Sequence, residues 1–221
     1  MDPNRADRPV YPYYFDEVGN SGSGGAPLKP WDRGLNRGNS VTDVRHNFVL
    51  SATYELPFGP GKKWLGSADP VTAAILGGWQ FSGAFTRNTG LPFTVTTSGN
   101  ITNAGGADRP NRIGDGTRPS DRRSIDRWFD VSAFQVQPNY TYGNSGRNIL
   151  FGPSQTNLDF TLAKAFRLSE RFRLQFRAEA FNASNTPGFG TPSANINGAG
   201  VGQITSADEP RRVQFGLKLL F

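Results

Sequence analysis

The end of the sequence restricts the fold more than any other part of it. Between residues 211 and 221, apolar and polar side chains alternate with a period of two. The apolar set is Val213, Phe215, Leu217, Leu219 and Phe221. This alternation predicts a half-buried β-strand. A segment of about 9–11 residues with one apolar side also has the length of a transmembrane β-strand. The segment alone fits an edge or core strand of a soluble domain equally well, so the rest of the chain must decide.

Four further segments alternate in the same way, at residues 47–56, 79–87, 157–166 and 171–180. The pattern leaves open whether the strand that begins at Trp79 continues toward Thr97. It also leaves open whether the apolar run from Val71 to Leu76 is a helical turn or the start of the next strand. We therefore expect one all-β domain over residues 1–221. It has a loop region at 1–45, two antiparallel strands within 46–97, and three within 156–221.

The connections between the predicted strands differ greatly in length. Residues 98–155 and 182–210 are long, rich in Gly and Asn, and without sustained periodicity, whereas the links at 57–78 and 167–170 are shorter. If strand directions alternate, the long loops fall on one side and the shorter links on the other. This asymmetry is typical of outer-membrane β-barrels, whose long loops face outward. A loop as long as 98–155 is also uncommon in a compact soluble domain.

Each of the five predicted strands has an aromatic residue at or next to the end where the shorter links lie. These residues are Phe58, Trp79, Phe166, Phe172 and Phe221. Membrane barrels carry such aromatic girdles at both interfaces. The pattern therefore predicts a girdle at the periplasmic interface, and a soluble sandwich gives no reason for it.

The opposite face of the strands is polar. Its residues are Glu55, Gln80, Asp159, Arg173, Gln175, Arg177, Glu179, Arg212 and Lys218. In a barrel this face lines a wet lumen, although a solvated face of a soluble antiparallel sheet shows the same alternation. Lys164 lies on the apolar face near a strand end, where it could snorkel to an interface. Because the smallest barrels need about eight strands, five strands predict the C-terminal part of a larger barrel.

Composition narrows the chemistry that the chain can perform. It contains no Cys, which excludes disulfides and Cys-based metal sites. The net charge of +6 is scattered without a run of like charges, so a nucleic-acid partner is not expected. His46 is the single His and lacks the partners of a catalytic triad. We expect neither enzymatic activity nor a cofactor.

Short motifs follow one another along the chain. They are Asp43-Val44-Arg45-His46-Asn47-Phe48, Tyr54-Glu55-Leu56-Pro57-Phe58-Gly59, Asp108-Arg109-Pro110-Asn111, Trp128-Phe129-Asp130, Gly143-Asn144-Ser145-Gly146-Arg147-Asn148 and the terminal Phe221. In this order they resemble the late barrel of Oar-like TonB-dependent receptors. The resemblance implies a barrel of roughly 22 strands, plugged by an N-terminal domain and driven by an inner-membrane energy complex. The plug and the remaining barrel would lie upstream of this chain.

The resemblance also implies partners. Outer-membrane lipid would surround the barrel, and the barrel-insertion machinery would read a terminal signal. That signal would comprise Phe215, Leu217, Leu219 and Phe221.

The sequence therefore predicts the C-terminal segment of a TonB-dependent receptor in the cell outer membrane. This segment would contribute barrel wall and ligand-capturing outer loops, with no ligand-binding residue identified. The alternative is a secreted or surface β-sandwich that binds carbohydrate or acts as an adhesin. In that case four aromatics would form a sugar-stacking surface, namely Trp128, Phe134, Tyr140 and Tyr142.

Overall fold

A computed structural model describes residues 32–104 and 108–221 of the chain. The predicted loop region 1–45 therefore lies largely outside the described residues. The described chain divides into two compact units. We call residues 45–89, 154–188 and 208–221 the sheet unit, and residues 32–44, 90–153 and 189–207 the loop unit.

The described residues form nine strands and two α-helices. The strands are β1 (Asn47–Glu55), β2 (Trp79–Asn88), β3 (Pro92–Phe93), β4 (Asn111–Arg112), β5 (Phe134–Gln135), β6 (Leu150–Phe151), β7 (Gln155–Arg167), β8 (Arg173–Phe181) and β9 (Arg212–Leu220). The helices are α1 (Arg33–Asn36) and α2 (Pro70–Leu76). No helix among the described residues is long and apolar enough to cross a membrane.

The sheet unit is a five-stranded antiparallel sheet in the order β1-β2-β7-β8-β9. All five strands lie where the alternation of the sequence predicted them, and the expectation of an all-β antiparallel fold is confirmed. β2 ends at Asn88 and does not continue to Thr97. The reason is that both neighbouring strands end there: Asn88 pairs with Asn47, the first residue of β1, and with Gln155, the first residue of β7.

The register of the sheet sorts its side chains onto two faces. Residues that pair directly opposite one another in an antiparallel sheet share a face. Tyr54, Phe81, Leu162, Ala178 and Phe215 form one such row on the apolar face. The neighbouring row, Thr53, Ser82, Thr161, Glu179 and Gln214, lies on the polar face. The apolar positions of all five strands therefore lie on one face of the sheet, and the polar positions lie on the other.

The connection between β1 and β2 contains α2, in the apolar run that the sequence left ambiguous. The Asp69 side chain accepts hydrogen bonds from the backbone N–H groups of Val71 and Thr72, and Pro70 occupies the first helical turn. An Asp cap followed by Pro is a favourable helix start. Hydrogen bonds from Thr72 hold the pKa of Asp69 below its ordinary value, and the bond to the Thr72 side chain contributes more than the bond to its backbone. Asp69 is therefore an ionised cap at neutral pH.

The loop unit has its own small core, although its sequence shows no sustained periodicity. β3 pairs with β6, and β4 pairs with β5. The buried side chains are Phe93, Val95, Phe129, Ala133, Phe134 and Leu150. The Phe129 ring lies 5.7 Å from that of Phe93 and 6.0 Å from that of Phe134, measured between centroids. The long segment 98–155 is thus folded around apolar residues that are scattered along it.

The later segment, 189–207, joins this core through backbone hydrogen bonds. Thr96 N–H donates to the Ala194 carbonyl at 2.9 Å, and Ile196 N–H donates to the Thr96 carbonyl at 3.0 Å. Trp128 N–H donates to the Gly202 carbonyl at 2.9 Å. The two long connections therefore fold together as one unit.

Candidate functional site

Two of the sequence motifs meet inside the loop unit. Ser145 N–H donates to the Pro110 carbonyl at 3.0 Å, and Arg112 N–H donates to the Asn144 side-chain oxygen at 2.6 Å. Gly143 lies so close to residues 109 and 110 that an added Cβ would clash with their carbonyl oxygens. Segments 108–112 and 143–148 are therefore held together at backbone distance.

Arg109 is buried and well satisfied within this framework. Its guanidinium donates to the Leu35 carbonyl at 2.9 Å, to the Ser145 carbonyl at 3.3 Å, and to the Asn36 side chain. A buried charged group is stable only when its hydrogen bonds are made. Arg109 thereby links α1 to the two motif segments.

The neighbouring Asp108 is also buried, and Thr102 satisfies its carboxylate. The Thr102 hydroxyl donates to one carboxylate oxygen at 2.6 Å, and the Thr102 N–H donates to the other at 3.0 Å. Asp108 thus anchors the turn at residues 100–103.

A third buried polar cluster surrounds Asn148. Its side-chain oxygen accepts from the Thr94 hydroxyl at 2.8 Å, and its backbone N–H donates to the same hydroxyl oxygen at 2.9 Å. Its side-chain amide donates to the Asn39 carbonyl at 2.6 Å. These partners are far apart in sequence, so one Asn connects three segments of the loop unit. The motif residues therefore act as framework rather than as exposed binding groups.

Next to this framework, Arg112 forms an ion pair with Asp115. The guanidinium lies 3.0 Å from the carboxylate. Hydrogen bonds from Thr117, with that ion pair as a smaller contribution, lower the pKa of Asp115. Asp115 consequently carries its charge at neutral pH and fixes the turn that follows β4.

A cavity of about 580 Å³ opens on the loop unit. Its apolar lining is Phe129, Val131 and Val201. Its polar and charged lining is Arg118, Asp126, Arg127, Asp130, Ser132 and Gln203. Ligand sites in proteins combine an apolar lining with a few polar groups and commonly have volumes of about 300–1,000 Å³. This cavity is the candidate ligand site of the loop unit, and no sequence pattern indicated it.

The sugar-stacking surface expected for the β-sandwich alternative is not formed. Phe134 is in the buried core, and Trp128 packs against that core while its indole N–H donates to the Phe151 carbonyl at 2.8 Å. Tyr140, by contrast, is 79% exposed. The expectation was wrong because the apolar residues of this segment are needed for its own core.

The residues predicted to face the lumen all lie on the polar face of the sheet unit. In the middle of this face, Arg177 pairs with Glu179 at 2.6 Å, and the Gln214 amide donates to the other oxygen of Glu179 at 2.6 Å. Arg212 lies with its guanidinium 5.6 Å from the Phe181 ring centroid. Asp159 accepts from the backbone N–H of Asn182 at 2.9 Å. The polar face is thus hydrogen-bonded from strand to strand.

The same face carries a cavity of about 480 Å³ at the end with the short connections. Glu55, Lys62, Gln80, Gln175 and Arg177 contribute its polar lining. Lys62 belongs to the connection between β1 and β2, and its ammonium is 2.8 Å from the Glu55 carboxylate. The connection therefore extends over the polar face at this point.

The apolar face carries only two charged side chains within the five described strands, Arg87 and Lys164. Lys164 pairs with Trp79, while Arg87 lies at the other end of β2. From residue 79 to residue 87 the strand advances roughly 27 Å, at about 3.4 Å per residue. At a strand tilt of about 40° this corresponds to roughly 20 Å of depth, close to the roughly 25 Å apolar band of membrane barrels. Both cations can reach an interface from there because their side chains are long.

Lys164 is buried, and polar partners surround its ammonium. It donates to the carbonyls of Ala74 at 2.6 Å and Ile75 at 2.8 Å, and also to that of Gly77. It also lies 5.3 Å from the Trp79 ring centroid and 4.7 Å from that of Phe166. The sequence indicated a snorkelling Lys, but not that its partner is the end of α2.

The residues of the predicted aromatic girdle form separate ring contacts. Trp79 and Phe166 meet with their ring centroids 6.4 Å apart, and Phe58 packs against Trp64 at 5.3 Å. Phe172 and Phe221 lie at the same end of β8 and β9, 44% and 93% exposed. Their contact with a membrane stays a prediction.

The strands of this sheet are polar on one face and apolar on the other, and cations lie near the two ends of the apolar band. These are features of the wall of a transmembrane β-barrel. In agreement, a family model described as outer membrane beta barrel domain matches residues 14–214. The chain belongs to this family, and its location is the outer membrane. No curated protein and no solved structure matches the chain.

Besides the loop-unit cavity and the partner of Lys164, sequence reasoning missed two further features. The helical start was encoded in Asp69-Pro70, a cap followed by a favoured first residue. The sequence showed the polar framework of the loop unit only as short motifs. The hydrogen bonds between them could not be predicted, because partners such as Thr94 and Asn148 are 54 residues apart.

Proposed function

We propose that this chain is the C-terminal segment of a TonB-dependent receptor and contributes barrel wall and ligand-capturing loops. The apolar face would contact lipid and the polar face would line the lumen. The plug and the remaining barrel would be supplied by upstream sequence, and an inner-membrane energy complex would drive transport. The barrel-insertion machinery would assemble the protein, which performs no chemistry on its ligand.

The observation that carries the ligand-capturing part of this proposal is the folded loop unit with its 580 Å³ cavity. A loop that only covers a barrel needs no core of its own, whereas a binding surface benefits from being ordered before the ligand arrives. The cavity combines apolar side chains with both signs of charge. This lining favours a small or medium-sized ligand that has apolar and charged groups.

Energy coupling can be tested without knowing the ligand. The full-length protein that contains this chain is passed in detergent over the immobilised periplasmic domain of TonB. We expect the full-length protein to be retained and a version that lacks only the upstream coupling segment, with the whole barrel kept, to pass through. If the full-length protein also passes through, the TonB-dependent role is wrong, while the family assignment is unaffected.

Ligand capture is tested separately. Competitive growth of a deletion strain on a panel of nutrients first identifies what the protein imports. Arg127→Glu reverses a charge at the cavity, whereas Arg171→Glu makes the same change in the short turn between β7 and β8. We expect only Arg127→Glu to reduce uptake at equal protein levels. Equal uptake by both variants would mean that this cavity does not bind the ligand.

A further inference from the structure

The helix α2 presents an apolar surface outward. Val71 and Ile75 are one turn apart on the same side of the helix, and they are 67% and 56% exposed. Leu76 is 48% exposed. The helix, Pro-Val-Thr-Ala-Ala-Ile-Leu, contains no charged residue. A helix facing water normally shows charged or polar residues on its outer side, so this composition indicates a different surrounding.

The contact with Lys164 places the end of α2 on the apolar face of the sheet. Lys164 shares that face with Trp79, Phe176 and Leu217, to which it is linked by register. Its ammonium donates to the carbonyls of Ala74 and Ile75, in the last turn of the helix. The Trp79 indole N–H donates to the Ile75 carbonyl at 3.0 Å. Two residues of the apolar face therefore hold α2.

The chemistry of this contact suits a membrane interface. A cation on a lipid-facing surface is costly unless polar partners compensate it. Here the carbonyls at the C-terminal end of α2 provide those partners, and the helix dipole favours a cation at that end. Trp is also enriched at the membrane interface, because its ring is apolar and its N–H is polar.

We propose that α2 is an interfacial helix that inserts Val71 and Ile75 into the lipid leaflet on the side of the short connections. Through the Ile75 carbonyl, this exposed apolar helix adjoins Trp79 and Lys164 of the apolar face, and this adjacency identifies lipid as the occupant. In outer-membrane barrels the short connections lie on the periplasmic side, so the leaflet is the inner one. Lys164 is the positioning residue, since it holds the helix against the barrel wall. The proposal rests on the family assignment and is independent of TonB.

Single cysteines test the position of the helix, because this chain contains none. Ile75→Cys carries the probe on the outer side of α2. Ser67→Cys is the control in the same connection, ahead of the helix and exposed. Each is introduced into the full-length protein, any upstream Cys being replaced. An environment-sensitive fluorophore is attached, and the protein is reconstituted in vesicles with and without brominated phospholipids.

We expect the brominated lipid to quench the label at residue 75 several-fold more than the label at residue 67. Equal weak quenching at both positions, with full access of iodide, would place α2 in water and overturn the proposal. A label at residue 75 that is shielded from both lipid and iodide would mean a protein partner, and would overturn it equally. Val71→Cys replaces Ile75→Cys if that variant does not fold.

The role of Lys164 has its own readout. A spin label at residue 75 should become more mobile in Lys164→Met, whereas Lys164→Arg should preserve the immobilised spectrum because it keeps the cation. Heat-modifiable migration on gels shows that each barrel is folded. Unchanged mobility in a folded Lys164→Met protein would exclude Lys164 as the positioning residue.

Discussion

Gly143 shows how a single residue determines the packing of the loop unit. Its backbone lies against the carbonyls of Arg109 and Pro110, with no space for a Cβ. The buried Arg109 bonds the same region to α1. A small change at residue 143 should therefore separate segments that are held by several hydrogen bonds.

We expect Gly143→Ala to destabilise the loop unit by about 1–3 kcal/mol, the usual cost of overpacking. Gly216→Ala is the matched control, because nothing lies within 4 Å of the added Cβ in β9. Limited trypsin digestion of the full-length barrel should show faster cleavage near Arg122 in Gly143→Ala alone. Identical digestion of the two variants would contradict the packing that the structure assigns to Gly143.

At the scale of the strand, the two faces should differ in their tolerance of charge. Val213 lies on the apolar face, in the row midway between the rows of Lys164 and Arg87, and is 54% exposed. Gln214 lies on the polar face beside Glu179. Neighbouring positions of β9 therefore offer the proposed lipid-facing and the proposed lumen-facing environment for the same substitution.

Val213→Arg should cost about 2–4 kcal/mol, the value for a cation at the bilayer midplane. Gln214→Arg should be tolerated, because Glu179 can pair with the new cation. Leu217→Arg should cost less than Val213→Arg, since Leu217 lies in the row of Lys164. The measurement is reversible folding of the full-length protein into lipid vesicles. A greater loss in Gln214→Arg than in Val213→Arg would mean that the faces are inverted.

The end of β9 has a proposed second role as the assembly signal. Phe221 is 93% exposed, so its removal leaves no cavity in the described structure. We nevertheless expect deletion of Phe221 to lower the outer-membrane level of the full-length protein more than Phe160→Ala does. Folding of the deletion variant into vesicles should remain normal. Equal cellular levels of the two variants would argue against a terminal signal.

The strands were predictable from sequence because apolar and polar residues alternate along a strand that has one apolar and one polar face. Every polar-face residue from Glu55 to Lys218 could be assigned in this way. The seven-residue α2 is too short to show a helical period, so only its cap marked it. The core of the loop unit was not predictable, because Phe93, Phe129 and Leu150 are held together by turns and by distant polar contacts rather than by a regular repeat.

At the scale of the whole molecule, the arrangement of long and short connections in this chain predicts its orientation in the membrane. Asp121 is exposed in the loop unit, and Ser67 is exposed in the short connection between β1 and β2. A bulky, membrane-impermeant maleimide should label Asp121→Cys on intact cells. Ser67→Cys should react only after the outer membrane is opened. The reverse pattern would mean that the long loops face the periplasm.

The hydrogen bonds that join the two long connections also bear on the timing of biogenesis. Ser98 N–H donates to the side-chain oxygen of Asn197 at 2.8 Å, although 99 positions separate the two residues. Closing so large a loop is entropically unfavourable, and contacts of this kind form slowly. Formation of the sheet makes this closure easier, because Asn88 pairs with Gln155 and Phe181 pairs with Arg212, which brings the two ends of each long connection together. The loop unit should therefore remain protease-sensitive after the sheet has become heat-resistant, which pulse proteolysis during vesicle folding can measure. The loop unit, which we propose to capture ligand, would then form last, so an incompletely assembled barrel would not bind ligand.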